Sequence, residues 1–163
     1  MTTITLRPIT PDNWVECIEL SPTSDQQVRG YIAPNVLSLA QAYAERWWTP
    51  LAVYAEATMV GFVLYGRWPE SGFSTLWGDK PKPGIDYILR MMIDQRYQGQ
   101  GYGRAALAAL IERIKTQPGC RAIELDYDRD NIAAVRFYTG CGFQPIEENE
   151  AGEILARLVI DGS

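Results

Sequence analysis

Ile4-Thr5-Leu6-Arg7-Pro8-Ile9 alternates apolar and polar side chains, the two-residue period of a half-buried strand. Thr10-Pro11-Asp12 then predicts a helix running to Leu20, with Thr10 as N-cap and Pro11 at the first helical position, where a missing N–H costs nothing. Ser21-Pro22-Thr23-Ser24 reads as a break. Residues 38–48 carry Leu39, Ala42, Tyr43, Arg46 and Trp47 at helical spacing, and Pro50 is expected to end that helix. Residues 51–57 and 60–68 are β-rich runs joined at Glu56-Ala57-Thr58-Met59, which reads as a hairpin. Residues 69–83, rich in Gly, Pro, Ser and Trp, are expected to form an irregular excursion at the sheet edge. Trp68, Phe73 and Trp77 read there as hydrophobic cover for the sheet or as the lining of a pocket.

Residues 85–94 form another apolar strand, and residues 101–116 a helix with Ala106, Leu107, Leu110, Ile111 and Ile114 on one face, stopped by Pro118-Gly119. A strand at 121–127, a helix at 131–139 and strands at 143–146 and 153–160 complete the chain. The order β-α-α-β-β-β-α-β-α-β-β predicts an α/β (α+β) fold, a mixed central sheet of about seven strands flanked by helices. The unit from Ile85 to Tyr127 should be a right-handed parallel crossover, with ligands at its carboxyl end. No repeat or linker interrupts residues 1–163, which read as a single domain.

Composition narrows the chemistry. Hydrophobic residues make up 47% of the chain and charged residues 21%, ordinary for a globular unit. Cys17, Cys120 and Cys141 are odd in number and form no C-x-x-C pair, which suits a reducing compartment. With no secretory signal and no stretch of membrane-spanning length, a cytoplasmic protein without a membrane partner is expected. The chain has no His, which removes the commonest metal ligand and general base. No metal is expected, and proton transfer falls to carboxylates, Tyr, Cys or water. A net charge of −5 argues against nucleic acid and weakly favours cationic ligands.

Between the strand ending at Asp94 and the helix beginning at Gly101 lies Gln98-Gly99-Gln100-Gly101-Tyr102-Gly103. Glycines at alternate positions let the backbone approach a ligand closely, and a helix N-terminus offers unpaired N–H groups to a phosphate. A pyrophosphate cradle and a mere tight turn both fit the pattern. It is no Walker A loop, since no Lys-Ser/Thr follows, and its mid-chain place suits a Rossmann fingerprint poorly.

Gln98-x-x-Gly101-x-Gly103 resembles the acetyl-CoA loop, Q/R-x-x-G-x-G/A, of the GNAT superfamily of N-acetyltransferases. Met91-Met92-Ile93-Asp94-Gln95-Arg96-Tyr97 is similar to that family's approach strand. Asn131-x-x-Ala134-x-x-Phe137-Tyr138-x-x-x-Gly142-Phe143 resembles a second family signature, N-x-x-A-x-x-x-Y-x-x-x-G-F. The likeness spans essentially the whole chain, the N-terminal third matching only in its order of elements. Tyr97-Gln98-Gly99-Gln100-Gly101, and Val60-Gly61-Phe62 followed by Tyr65, further resemble bacterial polyamine (spermidine/spermine-type) N-acetyltransferases.

The resemblance implies acetyl-CoA as co-substrate and direct transfer to a primary amine in a ternary complex. Backbone N–H groups of Gln98, Gly99, Gln100, Gly101, Tyr102 and Gly103 would hold the CoA pyrophosphate. The backbone of Met91, Met92 and Ile93 would pair with the pantetheine arm, the Met91 N–H being a candidate for polarising the thioester carbonyl. Tyr138 is the implied general acid, and Asn131 either touches the CoA arm or caps its helix. The implied partner is a small-molecule amine, a polyamine such as spermidine or spermine, and a homodimer is reasonable. An aminoglycoside, an amino acid or a protein N-terminus is the alternative acceptor, and a CoA-binding sensor without turnover the alternative function.

Family members often place a Glu where this chain has Tyr87 or Leu89. Strict alternation sets Tyr87, Leu89, Met91 and Ile93 on one face and Asp86, Ile88, Arg90 and Met92 on the other. Asp86 would reach the amine only through a bulge that shifts the register, so Asp86, Asp126 and a water relay all stay open as the base. Glu16, Glu19, Asp25, Glu45 and Glu70 are candidates for a polycation pocket, or else ordinary surface charges.

Overall fold

The computed structural model describes residues 2–67, 69–70 and 82–160. In chain order its elements are β1 (Ile4–Pro8), α1 (Trp14–Glu19), α2 (Ser24–Val28), α3 (Asn35–Ala44), β2 (Trp48–Ala55), β3 (Thr58–Arg67), β4 (Ile85–Ile93), α4 (Tyr102–Lys115), β5 (Ala122–Asp128), α5 (Ile132–Gly140), β6 (Gln144–Glu148) and β7 (Glu153–Val159). The strands form one seven-stranded sheet in the order β1-β2-β3-β4-β5-β7-β6. Only β4 and β5 pair in parallel; every other neighbouring pair is antiparallel. The mixed sheet expected from the pattern is present.

Each face of the sheet has its own apolar layer. On one, Val53, Val63, Ile88, Ile123 and Leu125 meet Ala106, Leu107, Leu110 and Ile114 of α4, with Phe143 fully buried beside them. Those α4 positions make one apolar stripe, so burying that stripe gives the helix its place. On the other face Ala52, Tyr54, Phe62, Leu64, Tyr87 and Met92 pack with Cys17 and Leu20, and with Leu39 and Ala42 of α3.

The first half of the chain departs from expectation in four places. Helix α1 begins at Trp14 rather than at Pro11, because the Asn13 side chain accepts the Thr10 N–H at 2.7 Å and donates to the Pro8 carbonyl at 3.0 Å. That local turn competes with helix. Helix α2 lies where only a break was expected; Thr23 and Gln26 form a capping box around it. Helix α3 runs over 35–44 rather than 38–48, and Trp48 and Pro50 belong to β2. Pro50 lies opposite Leu64, one residue beyond the last β1 pair, where its missing N–H breaks no bond between β1 and β2. The hairpin turns on Glu56 and Ala57, Glu56 at φ 55 with its carbonyl held by Arg7 at 2.7 Å. Trp68, Phe73 and Trp77 lie outside the described residues.

Strand β4 is irregular in two respects. Tyr65 pairs with Ile88 and Leu64 with Arg90, so Leu89 is an extra residue in the strand. Such a bulge bends the strand and exchanges its faces. The alternation expected from sequence therefore fails at this point: Tyr87 and Leu89 share a layer with Met92, while Ile88 shares the other with Met91 and Ile93. The second irregularity is that β4 pairs with β5 only from Ile85–Ala122 to Tyr87–Glu124. Beyond Tyr87 the two strands part.

Buried carboxylates anchor these strands. Glu124, fully buried, takes Lys82 Nζ at 2.8 Å and Arg157 Nε at 2.9 Å. Asp94, 2% exposed at the end of β4, accepts the Ser21 N–H at 2.9 Å, the Arg96 N–H at 2.9 Å and Arg96 Nε at 2.7 Å. Among the described residues no helix is long and apolar enough to cross a membrane.

Burial alone would raise the Asp94 pKa, but the bonds from Arg96 and Ser21 outweigh it and hold it below the usual carboxylate value. The stability Asp94 contributes is thus complete above the unfolded pKa of about 3.9 and lost as pH falls through the lower folded value. Urea unfolding of the parent and of Asp94→Asn, compared from pH 7 down to about 2, should show a gap that is widest near neutrality and closes in acid. A gap independent of pH would mean that the Asp94 charge contributes nothing to the fold.

Candidate active site

Where β4 and β5 part, a cleft of about 1140 Å³ opens. Tyr87 to Ile93 of β4, Leu125 to Asp128 of β5, Gln98, Gly99 and Gly101 to Gly103 of the glycine turn, Asn131, Phe137 and Tyr138 line it, together with residues 29–33. Among the described residues β5 does not pair with β4 beyond Tyr87, so that edge is open to an extended amide-bearing chain, although the Leu89 carbonyl accepts Arg90 Nη1 at 2.9 Å and the Ile93 carbonyl accepts the Gln98 amide at 2.9 Å. Met91, Met92 and Ile93 sit on this edge. Their side chains pack into the two apolar layers, as expected, and the Met92 sulfur meets the Asn35 amide at 3.8 Å.

After Asp94 a single 3₁₀ turn, Gln95–Tyr97, delivers the chain to the glycine loop. Gly99 and Gly101 both adopt left-handed backbone, at φ 76 and 81. A Cβ at either would find nothing within 4 Å, so it is the backbone conformation, not packing, that calls for glycine there. Gly101 caps α4, whose first intrahelical bond is Ala105 N–H to the Gly101 carbonyl at 3.1 Å. The N–H groups of Tyr102, Gly103 and Arg104 consequently lack helical partners at the positive end of the helix. Open space, left-handed glycines and unpaired N–H groups together fit a pyrophosphate. Gln100 alone of this segment does not line the cleft; it borders a separate shallow depression with Arg96 and Tyr97.

Tyr138 reaches the cleft from α5 inside an aromatic cage. Its ring lies parallel to Tyr127 at 5.8 Å and edge-on to Phe137 and Phe143 at 5.0 and 6.0 Å. Burial pushes the Tyr138 pKa up, and Cys141 and Asp126 push it further, so the phenol keeps its proton. Tyr127 is itself buried, and its hydroxyl has no hydrogen-bond partner among the described residues. Asn131 caps α5, its side-chain oxygen accepting the Ala134 N–H at 3.2 Å, while also lining the cleft.

The two Asp candidates separate. Asp86 is 2% exposed, is bound by Arg67 at 2.6 and 3.1 Å, and does not line the cleft. The bulge falls at Leu89, downstream of Asp86, so it turns the later residues and leaves Asp86 on the closed side. Asp86 is therefore no base for this cleft. Asp126 does line it. Asp126 is exposed to the cleft, and partial loss of water around its carboxylate there raises its pKa. The Tyr87 hydroxyl and Arg90 act in the opposite sense, and Glu153 adds to the rise.

Asp128, Glu147 and Glu153 join Asp126 on the cleft wall, whereas Glu16, Glu19, Asp25, Glu45 and Glu70 do not line it. Register explains the grouping: Asp128 pairs with Glu153, and Asp126 and Glu147 both pair with Leu155. The alternation Glu124-x-Asp126-x-Asp128 was the signal for it, since it sets three carboxylates on one face of a strand. Among the described residues no group of three or more His, Cys, Asp and Glu could hold a metal ion.

Comparison with known proteins agrees with this geometry. The model of the acetyltransferase (GNAT) family matches residues 12–143. The spermine/spermidine N(1)-acetyltransferase of Bacillus subtilis (strain 168) is 33% identical over 141 residues, covering 86% of this chain and 88% of that protein. The crystal structure of aminoglycoside acetyltransferase AAC(6')-Ib with coenzyme A and kanamycin superposes with a TM-score of 0.77 at 20% identity, over 96% of this chain and 95% of that one. The PaiA N-acetyltransferase of Thermoplasma acidophilum with coenzyme A gives 0.68 at 16% identity, over 97% and 99%. At such identities the two structures speak for the fold, and the matched sequence spans the glycine loop, the parted strands and Tyr138. The chain belongs to the acetyltransferase (GNAT) family.

Proposed function

We propose that this protein transfers the acetyl group of acetyl-CoA to a primary amine of a small polyamine, such as spermidine or spermine, directly within a ternary complex. One observation carries the reading: a single cleft unites an unpaired strand edge, a glycine loop opening a helix, a protonated phenol and a wall of carboxylates. The relative at 33% identity, named for spermine and spermidine, supports the acceptor.

Acetyl-CoA supplies an acetyl group activated as a thioester. The loop N–H groups of residues 98–103 hold its pyrophosphate, and the Met91–Ile93 edge pairs with the amides of its arm. The Met91 N–H supports the thioester carbonyl. The acceptor enters as an ammonium and loses a first proton to become nucleophilic. As the amine nitrogen then attacks the carbonyl carbon, a C–N bond forms and the C–S bond breaks, the sulfur gains a proton from the phenol, and the second proton shed by the nitrogen returns through water to that phenol. Tyr138 donates to the sulfur. Asp126 accepts from the ammonium, directly or through water, and its raised pKa makes it a better base than an ordinary carboxylate. Asp128, Glu147 and Glu153 attract the remaining positive charge of the acceptor.

The loop is tested by a pair of glycines. Gly101→Ala should lose about 1 kcal/mol of stability to its left-handed backbone and weaken acetyl-CoA binding at least about tenfold in calorimetry, because a Cβ fills the cradle. Gly103→Ala, whose Cβ would meet Ile93 and Phe137 at a comfortable 3.7 Å, should leave both unchanged. Parental affinity in the Gly101 variant would remove the cradle.

Tyr138→Phe should lower kcat by about ten- to a thousandfold with acetyl-CoA affinity intact. Full turnover in that variant would make the tyrosine structural and leave solvent to protonate the thiolate.

The acceptor is decided by steady-state CoA release with spermidine, spermine, kanamycin and an amino acid at two salt concentrations. A polyamine should give the highest kcat/KM, its KM should rise with salt, and its rate should climb toward alkaline pH as the attacking nitrogen loses its proton. A better aminoglycoside or amino acid, or a polyamine KM indifferent to salt, would refute the polyamine assignment while leaving acetyl transfer in place.

A further inference from the structure

Two stretches far apart in the chain are laced together at the rim of the cleft. The Gln98 side-chain amide donates to the Ile93 carbonyl at the end of β4, 2.9 Å, and to Gln26 Oε1 in α2, 3.1 Å. The same Gln26 oxygen accepts the Thr23 N–H at 3.1 Å, the bond that closes the capping box of α2. Nearby, Asp94 accepts the Ser21 N–H at 2.9 Å, and the Gln95 N–H donates to the Ser21 carbonyl at 2.8 Å. The Gln98 side chain is thus the link between the glycine loop and α2.

Helix α2 has five residues, too few to hold its shape without tertiary anchors. It exposes all of its side chains at least in part, and residues 29–33, just beyond it, form a wall of the cleft. What secures α2 at this end is its cap, and the cap oxygen is shared with the glycine loop. Gln26 and Gln98 both line the cleft themselves.

We propose that Gln98 and Gln26 form a clasp through which occupation of the glycine loop orders the α2 wall, so that co-substrate and acceptor bind with positive coupling. The clasp rests on the reading of the loop as the acetyl-CoA cradle. Fixing the loop fixes Gln98, Gln98 fixes the cap of α2, and the acceptor then meets a wall already ordered. By reciprocity the acceptor tightens the hold on the co-substrate by the same factor. Gln98 and Gln26 are positioning residues: neither has a part in the bond exchange.

Hydrogen exchange of the full chain with and without free CoA tests the clasp separately from turnover. In the parent, CoA should slow exchange in residues 98–103 and, about fivefold or more, in residues 23–33. In Gln98→Ala, and in Gln26→Met, which keeps the side-chain volume and leaves the Gln98 bond to Ile93 intact, residues 98–103 should stay CoA-protected while residues 23–33 lose their response. In Gln26→Met the spermidine KM should rise about fivefold with kcat at double saturation nearly unchanged, and adding Gln98→Ala to it should raise the spermidine KM no further. Residues 23–33 indifferent to CoA in the parent, or equally protected in both variants, would overturn the clasp. If CoA fails to protect residues 98–103 in the parent, the cradle itself falls and takes the clasp with it.

Discussion

The site depends on β4 and β5 staying together for three residue pairs and then separating. Adjacent strands ordinarily continue pairing, because buried N–H and C=O groups left without partners are costly. Here the bulge at Leu89 bends β4 just beyond the last pair, and the apolar layers on the two faces of the sheet hold the strands on their own courses. The vertex is pinned by charge: Asp86 bound to Arg67, and Glu124 bound to Lys82 and Arg157, stand at the last positions where the strands touch. A carboxylate buried this deeply persists because its partners surround it, and removing one partner would leave a buried charge uncompensated. The gap they secure offers a strand edge that a ligand arm can complete.

Burial also tunes the two groups assigned to proton transfer, acting on both in the same sense. Crowding disfavours phenolate, which keeps Tyr138 protonated, and disfavours carboxylate, which strengthens Asp126 as a base. The negative charge of Asp126 reinforces the first effect, since it raises the phenol further. In the proposed reaction the two groups differ in what the environment contributes: a phenol carries its proton at neutral pH by its intrinsic pKa, whereas the basicity of Asp126 comes from its surroundings.

Local signals are legible where neighbours in sequence determine the outcome. The apolar stripe of α4, the three glycines after β4 and the spacing from Asn131 to Phe143 all concern residues within a few positions of one another. The capping box Thr23-x-x-Gln26 is equally local, yet α2 is so short that the surrounding Ser and Pro residues mask it. Thr10 and Pro50 show the limit of local rules: each is a sound helix boundary by type, but Asn13 captures the Thr10 N–H, and Pro50 is drawn into β2 by pairing with Leu64.

Sequence alone was enough for the succession of the seven strands, for every helix except α2, for the glycine turn before α4 and for the phenol on α5, because backbone propensity, periodicity and spacing act over short range. Tertiary structure alone decided which carboxylates share the cleft. Asp126, Asp128, Glu147 and Glu153 meet because β7 inserts between β5 and β6 in a particular register, and Asp86 is excluded because β3 places the β4 bulge after it. Strand order and register are settled by contacts between distant segments, and a single residue of slip would turn every side chain to the opposite face.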